Sequence, residues 1–478
     1  MKEMDVLRSL EDQLGKTIPQ VSQIRAPTFG FKLHGTDIVE LGLSNQHLTA
    51  LPAAIGNLKS LERLRLDNNQ LVSLPTTIGH LPNLIELNLY KNQFSSFPET
   101  LCHLVNLKNL SLRENRLISL PDIIGQLTTL KELDLYENRL ESLPMSFGNL
   151  TSLEDLSLYN NQLISLPKTF GQLTALKTLD LSKNQLKSLP TSFGNLINLE
   201  RLWLTNNQLV SLPETFGDLQ NLQKLSSSDN LFITLPEAFG NLRNLEQLGL
   251  ENNQLRSLPE SFGNLRNLEE LWLANNQLKT LPETFGQLTQ LEQLCLTNNK
   301  LSTLSESFGN FNNLEMLWLS GNRLSSLPES LGNLPMLYRL YLDHNLLSTL
   351  PKSFRNLDSL ETLTLYKNRF FLNPESVQIL LQILSKNPSI LRNVQPVLQN
   401  VQDKSSFIVT FLIQEGKTLL DVTLLRLFEL VKLEEVSPVQ VQALRPVLLA
   451  ILLASSTSST VRHQAKRALK RLGGKEIT

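Results

Sequence analysis

The stretch Leu61-Glu62-Arg63-Leu64-Arg65-Leu66-Asp67-Asn68-Asn69-Gln70-Leu71-Val72-Ser73-Leu74-Pro75-Thr76-Thr77-Ile78-Gly79-His80-Leu81-Pro82-Asn83 decides how this chain folds. The same pattern starts again at Leu84 and again at Leu107. Its asparagine recurs at Asn69, Asn92, Asn115, Asn138, Asn161, Asn184, Asn207, Asn230, Asn253, Asn276, Asn299, Asn322, Asn345 and Asn368, every 23 residues, with Gln46 one step earlier. Fifteen coils therefore follow one another without an insertion or deletion. A fixed period of this length marks a repeat architecture: one coil cannot bury its own apolar face, but a stack can.

Each half of the coil has a physical reading. In Leu64-Arg65-Leu66 the leucines alternate with outward Arg63, Arg65 and Asp67, the period of two that belongs to a short strand. After the strand the chain must bend inside the protein, where backbone N–H and C=O groups have no water. An asparagine, with two donors and an acceptor, satisfies them, and stacked coils make a ladder of such residues. The return half, Leu-Pro-x-x-Phe/Ile-Gly-x-Leu, has a proline that fixes φ and a glycine expected to serve a tight turn. Most of the 20 phenylalanines are thereby structural.

The pattern LxxLxLxxNxL is the signature of leucine-rich repeats. With its Leu-Pro-x-x-Phe-Gly-Asn-Leu halves, the chain resembles the 23-residue intracellular class that includes Ras-group-related scaffolds and LRR-and-PDZ proteins. The segment from Leu14-Gly15-Lys16 to Phe29-Gly30-Phe31 is similar to the amino-terminal cap of prokaryotic, notably archaeal, members. The likeness covers residues 1–385. It implies an α/β fold, a leucine-rich repeat solenoid or horseshoe with a continuous parallel concave sheet. It also brings small GTPases and phosphatase subunits into view as partners.

The expected organisation is an amino-terminal cap over 1–37, the fifteen repeats over 38–380 and a helical carboxy-terminal cap or module over 381–478. Residues 2–14 read as an amphipathic helix with Val6, Leu7, Leu10 and Leu14 on one side, and 29–33 with 38–41 as a hairpin covering the open sheet edge. Helical spacing recurs over 375–385, 388–401, 405–414, 417–433, 438–454 and 460–472, the last resembling the second helix of a HEAT repeat. Four departures stand out. Ser227 takes the place of a buried strand leucine, either as tolerated drift or as a softened joint at coil 9. Ser305 replaces the convex proline, Phe311 the convex leucine and Arg355 the convex glycine.

Composition excludes several classes. With 44 basic and 45 acidic residues the net charge is −1, and nothing marks a nucleic-acid binder or a polybasic membrane surface. The charged start Met1-Lys2-Glu3-Met4-Asp5 lacks an apolar h-region, and the run 447–454 is too short to span a bilayer. The two cysteines, Cys102 and Cys295, lie on different halves of distant coils, so a reducing, cytoplasmic setting is expected. Gly416-Lys417-Thr418 lacks the glycine that a phosphate loop needs where Phe411 stands, and the six histidines have no metal-ligand spacing. No catalytic residue, metal site or cofactor is expected, and the chain reads as a non-enzyme.

The repeat shows where binding would sit, because outward sheet residues can be read in columns. Between the strand leucines stand Asp134, Asp180, Trp203, Trp272, Trp318 and Tyr341; the next outward column holds Tyr90, Arg113, Tyr136, Tyr159 and Tyr366. Together the columns contain all three tryptophans and five of the six tyrosines. Either these are interface anchors, large in area and poor in rotamer entropy, or they suit β-positions and brace one another. Charge adds a second signal: over coils 3–7 the outward set has Glu86, Glu114, Glu132, Asp134, Glu137, Asp155 and Asp180 against Lys91, Arg113 and Lys183, with Arg201 following. A partner with a basic patch on coils 3–7 and an apolar ridge on the tryptophans would be complementary.

The expected function is a non-catalytic intracellular scaffold for signalling. It would bind a folded protein or long peptide along the concave sheet through Tyr90, Arg113, Glu132, Asp134, Tyr136, Asp155, Tyr159, Asp180, Arg201, Trp203, Trp272, Trp318, Tyr341 and Tyr366. The alternative is an adaptor or regulatory subunit whose helical carboxy-terminal module carries the effector interaction.

Overall fold

The computed structural model describes residues 3–25, 27–369 and 374–387, together with 390, 394, 463 and 465–467. The helices expected over 388–401, 405–414, 417–433, 438–454 and 460–472, the HEAT-like reading among them, lie outside the described residues apart from those few positions. The chain divides into two compact units, Met1–Gln254 and Leu255–Thr478.

The first unit opens with helix α1 (Glu3–Leu14), which buries Val6, Leu7 and Leu10. Strands β1 (Phe29–His34) and β2 (Asp37–Leu43) form an antiparallel hairpin with an irregularity at Lys32/Leu33. The Glu3 carboxylate accepts the Ile38 N–H at 2.7 Å, tying helix to hairpin. β2 is also the first strand of the stack, because it pairs parallel with β3 (Arg63–Arg65). Then come β4 (Glu86–Asn88), β5 (Asn109–Ser111), β6 (Glu132–Asp134), β7 (Asp155–Ser157), β8 (Thr178–Asp180), β9 (Arg201–Trp203), β10 (Lys224–Ser226) and β11 (Gln247–Gly249). Each is parallel to the last and offset by one repeat, so equivalent residues lie side by side.

The second unit continues the pattern in β12 (Glu270–Trp272), β13 (Gln293–Cys295), β14 (Met316–Trp318), β15 (Arg339–Tyr341) and β16 (Thr362–Thr364). After β16 the short return turn gives way to helix α2 (Pro374–Lys386). Ser376 Oγ accepts the Leu350 N–H at 3.1 Å, and Asn387 donates to the Leu360 carbonyl at 2.8 Å, so the helix closes backbone groups of the last coils.

The asparagine ladder works as its donors and acceptor predict. Asn161 Nδ2 donates to the carbonyls of Leu135 (3.0 Å) and Leu158 (3.1 Å), while its Oδ1 accepts the Leu140 N–H at 3.0 Å. One side chain therefore stitches its own coil to the preceding one. The residue before it is left-handed throughout, with φ 54° at Asn68 and Asn160 and 73° at Gly321. Asparagine and glycine adopt that conformation most readily. Lys91, Glu114, Glu137 and Lys183 occupy this turn position, so they are turn residues just beyond the strands and not strand residues.

On the return half, five-residue 3-10 turns stack a spine of buried phenylalanines. Phe147, Phe170, Phe193, Phe216 and Phe239 lie parallel with centroids 6.2, 6.1, 6.1 and 6.2 Å apart. The glycine beside each has a reason other than the turn freedom expected for it: a Cβ at Gly171 would stand 1.9 Å from the Ser192 carbonyl oxygen of the next coil. The departures are absorbed locally. Ser305 Oγ accepts the Ser307 N–H at 3.2 Å, capping the turn where proline is usual. Phe311 packs edge-on against Phe308 at 5.1 Å. Ser227 is fully buried, and its hydroxyl has no hydrogen-bond partner among the described residues.

Candidate protein-binding face

The open face of the first unit's sheet carries a groove of about 760 Å³ that runs from Glu86 on β4 to Trp203 on β9. Two columns make its floor. In one, Glu132 of β6 pairs in register with Asp155 of β7; in the other, Asp134, Ser157, Asp180 and Trp203 stand on successive strands. Strict repetition puts them there, since a strand residue and its counterpart 23 positions on must be neighbours.

Beside this floor, along the next outward column, runs a ladder of rings and cations. The Arg113 guanidinium lies 5.3 Å from the Tyr90 ring centre and 4.1 Å from that of Tyr136. Tyr136 stacks on Tyr159 at 4.5 Å with planes 6° apart, and Lys183 Nζ caps Tyr159 at 5.0 Å. Cation–π and stacked contacts of this kind each contribute about 0.5–1.5 kcal/mol. The Tyr90 hydroxyl donates to Glu114 at 3.1 Å, and burial followed by Glu114 pushes this phenol's pKa up. Lys183 was legible only as a charge on the acidic face; its seat over Tyr159 depends on the left-handed turn that precedes Asn184.

The floor is electrostatically unbalanced. Glu86 is held by Arg65 at 2.7 Å and Arg63 at 3.5 Å. Among the described residues no basic group forms an ion pair with Glu132, Asp134, Asp155 or Asp180, the nearby lysines being engaged elsewhere. Lys131 and Lys177 both grip Glu154, at 2.5 and 2.8 Å, and hold its carboxyl down at about 2. Asp134 and Asp180 accept the backbone N–H of Tyr136 (3.0 Å) and Ser182 (2.9 Å). These bonds do not offset burial, which pushes both carboxyls above the ordinary aspartate value. A cation entering the groove would meet charge that the protein itself has left uncompensated. Arg201 donates to Thr178 at 2.9 Å beside the groove's Trp203 end.

In the second unit the expected aromatic residues come together differently. Trp272 and Trp318 stand 5.4 Å apart, tilted by 36°, from strands two apart, with the buried Cys295 on the strand between them. Trp318 stacks on Tyr341 at 5.8 Å with planes 1° apart. Tyr366 joins neither set; it is 51% exposed and meets Lys367 at 5.4 Å and the edge of His344 at 6.1 Å. Neither Cys102 nor Cys295 is joined in a disulfide, and burial pushes the Cys102 thiol up to about 12. Among the described residues there is no cluster of three or more metal-ligating side chains, and no helix is long and apolar enough to cross a membrane.

Comparison with known proteins agrees with this architecture. The family described as leucine rich repeat matches residues 59–117, 105–163 and 313–370, and that described as leucine-rich repeat region matches 148–248 and 235–315. A solved leucine-rich repeat protein of Leptospira interrogans is 38% identical, with a TM-score of 0.64, over 73% of this chain and 94% of its own. The chain belongs to the leucine-rich repeat proteins. The plant peptide hormone receptor RGFR1, solved in complex with RGF2, is 30% identical over 74% of this chain and 62% of its own, with a TM-score of 0.62. A TDR receptor is 31% identical over 74% and 67%, also at 0.62. No curated protein matches the chain. As a class, leucine-rich repeats are scaffolds for protein–protein interaction, since stacked coils present one extended surface.

Proposed function

We propose that this protein is a non-catalytic scaffold that holds a protein partner on the open sheet face of its first unit. The observation that carries the reading is the coincidence of three features on β4–β9: a groove, a ring-and-cation ladder, and the floor carboxylates Glu132, Asp134, Asp155 and Asp180, without ion-pair partners among the described residues. Rigid aromatic side chains beside desolvated charge are where interface energy concentrates. The likeness to a receptor solved with RGF2 supports a proteinaceous ligand. Small GTPases and phosphatase subunits enter through the sequence resemblance, as does a signalling role. The cytoplasmic setting is supported by two buried cysteines that are not joined in a disulfide. The helical effector module of the alternative reading lies outside the described residues.

The test is affinity enrichment from native lysate with wild type and with Tyr136→Ala/Tyr159→Ala/Trp203→Ala, each variant's fold checked by circular dichroism. A protein enriched by wild type and lost with the folded variant is the expected result. Identical enrichment by both removes this face from the function.

A further inference from the structure

Resting on the reading of this face as the binding face, we propose that its groove receives a polyproline II segment of the partner carrying arginine or lysine three residues apart, one cation at Asp134 and the next at Asp180. The inference comes from matching two spacings. Asp134 and Asp180 occupy the same column on strands two apart, with Ser157 between them. Neighbouring strands lie about 4.8 Å apart, so the two positions are separated by about 9.6 Å. A polyproline II helix rises about 3.1 Å per residue with three residues per turn, so side chains at i and i+3 share a face about 9.3 Å apart. A fully extended strand offers same-face side chains at about 6.8 Å, which falls between the carboxylates.

The surroundings suit the same ligand. Polyproline II segments dock in grooves lined by aromatic rings, and this one has Trp203 at one end and the Tyr136–Tyr159 stack beside it. From β4 to β9 the groove crosses five strand spacings, about 24 Å, which accommodates about eight residues of such a segment. The cations must come from outside: Arg113 is stacked on Tyr136, and Lys131 and Lys177 are held by Glu154. Pairing with a cation would also draw down the two aspartate pKa values that burial raises, so binding releases protons and strengthens as pH rises through the carboxylate range. The charged groups facing Asp134 on its neighbouring strands and turns are Arg113 and Glu114.

The experiment is fluorescence anisotropy with the full chain and labelled ten-residue proline-rich peptides bearing two arginines at i and i+3, two at i and i+2, or two glutamates at i and i+3. The i,i+3 arginine peptide is expected to bind about tenfold or more tightly than the i,i+2 peptide, and to weaken between about 50 and 200 mM salt. The glutamate peptide is expected not to bind. Asp134→Asn/Asp180→Asn, which keeps an acceptor for the Tyr136 and Ser182 N–H groups, is expected to lose about tenfold or more with an unchanged circular dichroism spectrum. Equal binding of the two arginine spacings, unchanged binding by the double variant, or no binding of the i,i+3 peptide overturns the proposal. If that happens while the Tyr136/Tyr159/Trp203 variant still loses a lysate protein, only the segment chemistry falls; if the variant loses nothing, the scaffold reading falls as well.

Discussion

The first unit's Tyr90–Lys183 ladder and the second unit's Trp272–Trp318–Tyr341 set both bring outward aromatic residues together, the rings of the first from the column after the second strand leucine and those of the second from the column between the strand leucines, and they are built on different terms. In the first, rings alternate with or end in cations, and the adjoining floor keeps carboxylates with no ion-pair partner among the described residues. In the second, indoles lean together across the strand that carries Cys295 and continue in a stack with Tyr341. Outward aromatic residues of the repeat can therefore carry stability in one place and stand beside available charge in another. The residue on the intervening coil differs as well: Arg113, just beyond β5, separates Tyr90 from Tyr136, while the small Cys295 of β13 lets two tryptophans meet.

That contrast can be broken experimentally. Trp272→Ala/Trp318→Ala is expected to cost the second unit about 3 kcal/mol in urea melts, below the full range for deeply buried rings because both are half-buried. The same pair should raise the maleimide labelling rate of Cys295, now 8% exposed, while Cys102, whose thiol burial pushes up to about 12, stays slow. Unchanged labelling would mean that the indoles do not shield the thiol. Tyr136→Ala/Tyr159→Ala should cost less, about 1 kcal/mol of ring–ring and cation–ring contact, while removing partner binding. A larger stability loss than in the tryptophan pair would reverse the comparison.

Smaller effects sharpen it further. Ser227→Ala is expected to stabilise the first unit by about 1 kcal/mol, because it removes a buried hydroxyl that has no hydrogen-bond partner among the described residues. Destabilisation would show that the hydroxyl is satisfied in solution. Asp134→Asn should raise the melting temperature slightly at neutral pH. Burial raises this carboxyl's folded-state pKa, so its penalty is present above that pKa and disappears as pH falls through it; the advantage of the variant should vanish over the same range. Glu154 runs the other way. Held down at about 2 by Lys131 and Lys177, it contributes above the ordinary carboxylate range and loses that contribution only as pH falls toward 2. An Asp134→Asn advantage that persists at low pH would separate it from ionisation altogether.

By itself, the sequence determined the period, the strand of Leu64-Arg65-Leu66 and the bonding role of Asn161, because these follow from alternation and from the donor and acceptor inventory of one side chain. It also determined which side chains share a column, since a repeat without insertions leaves register no freedom. Tertiary structure alone decided the rest. The glycine at position 171 answers to a carbonyl 1.9 Å from where its Cβ would be, an approach made by another coil and invisible within one. Glu114 and Lys183, read as outward sheet residues, sit in left-handed turns that place them against Tyr90 and Tyr159. Nor could composition tell which carboxylates were already neutralised: Glu86 and Glu154 found basic partners, and among the described residues Asp134 and Asp180 have no ion pair. The physical reason is common to all three: a pattern along the chain defines neighbours by position, but burial, pairing and clearance are set by atoms that meet only when the coils are stacked.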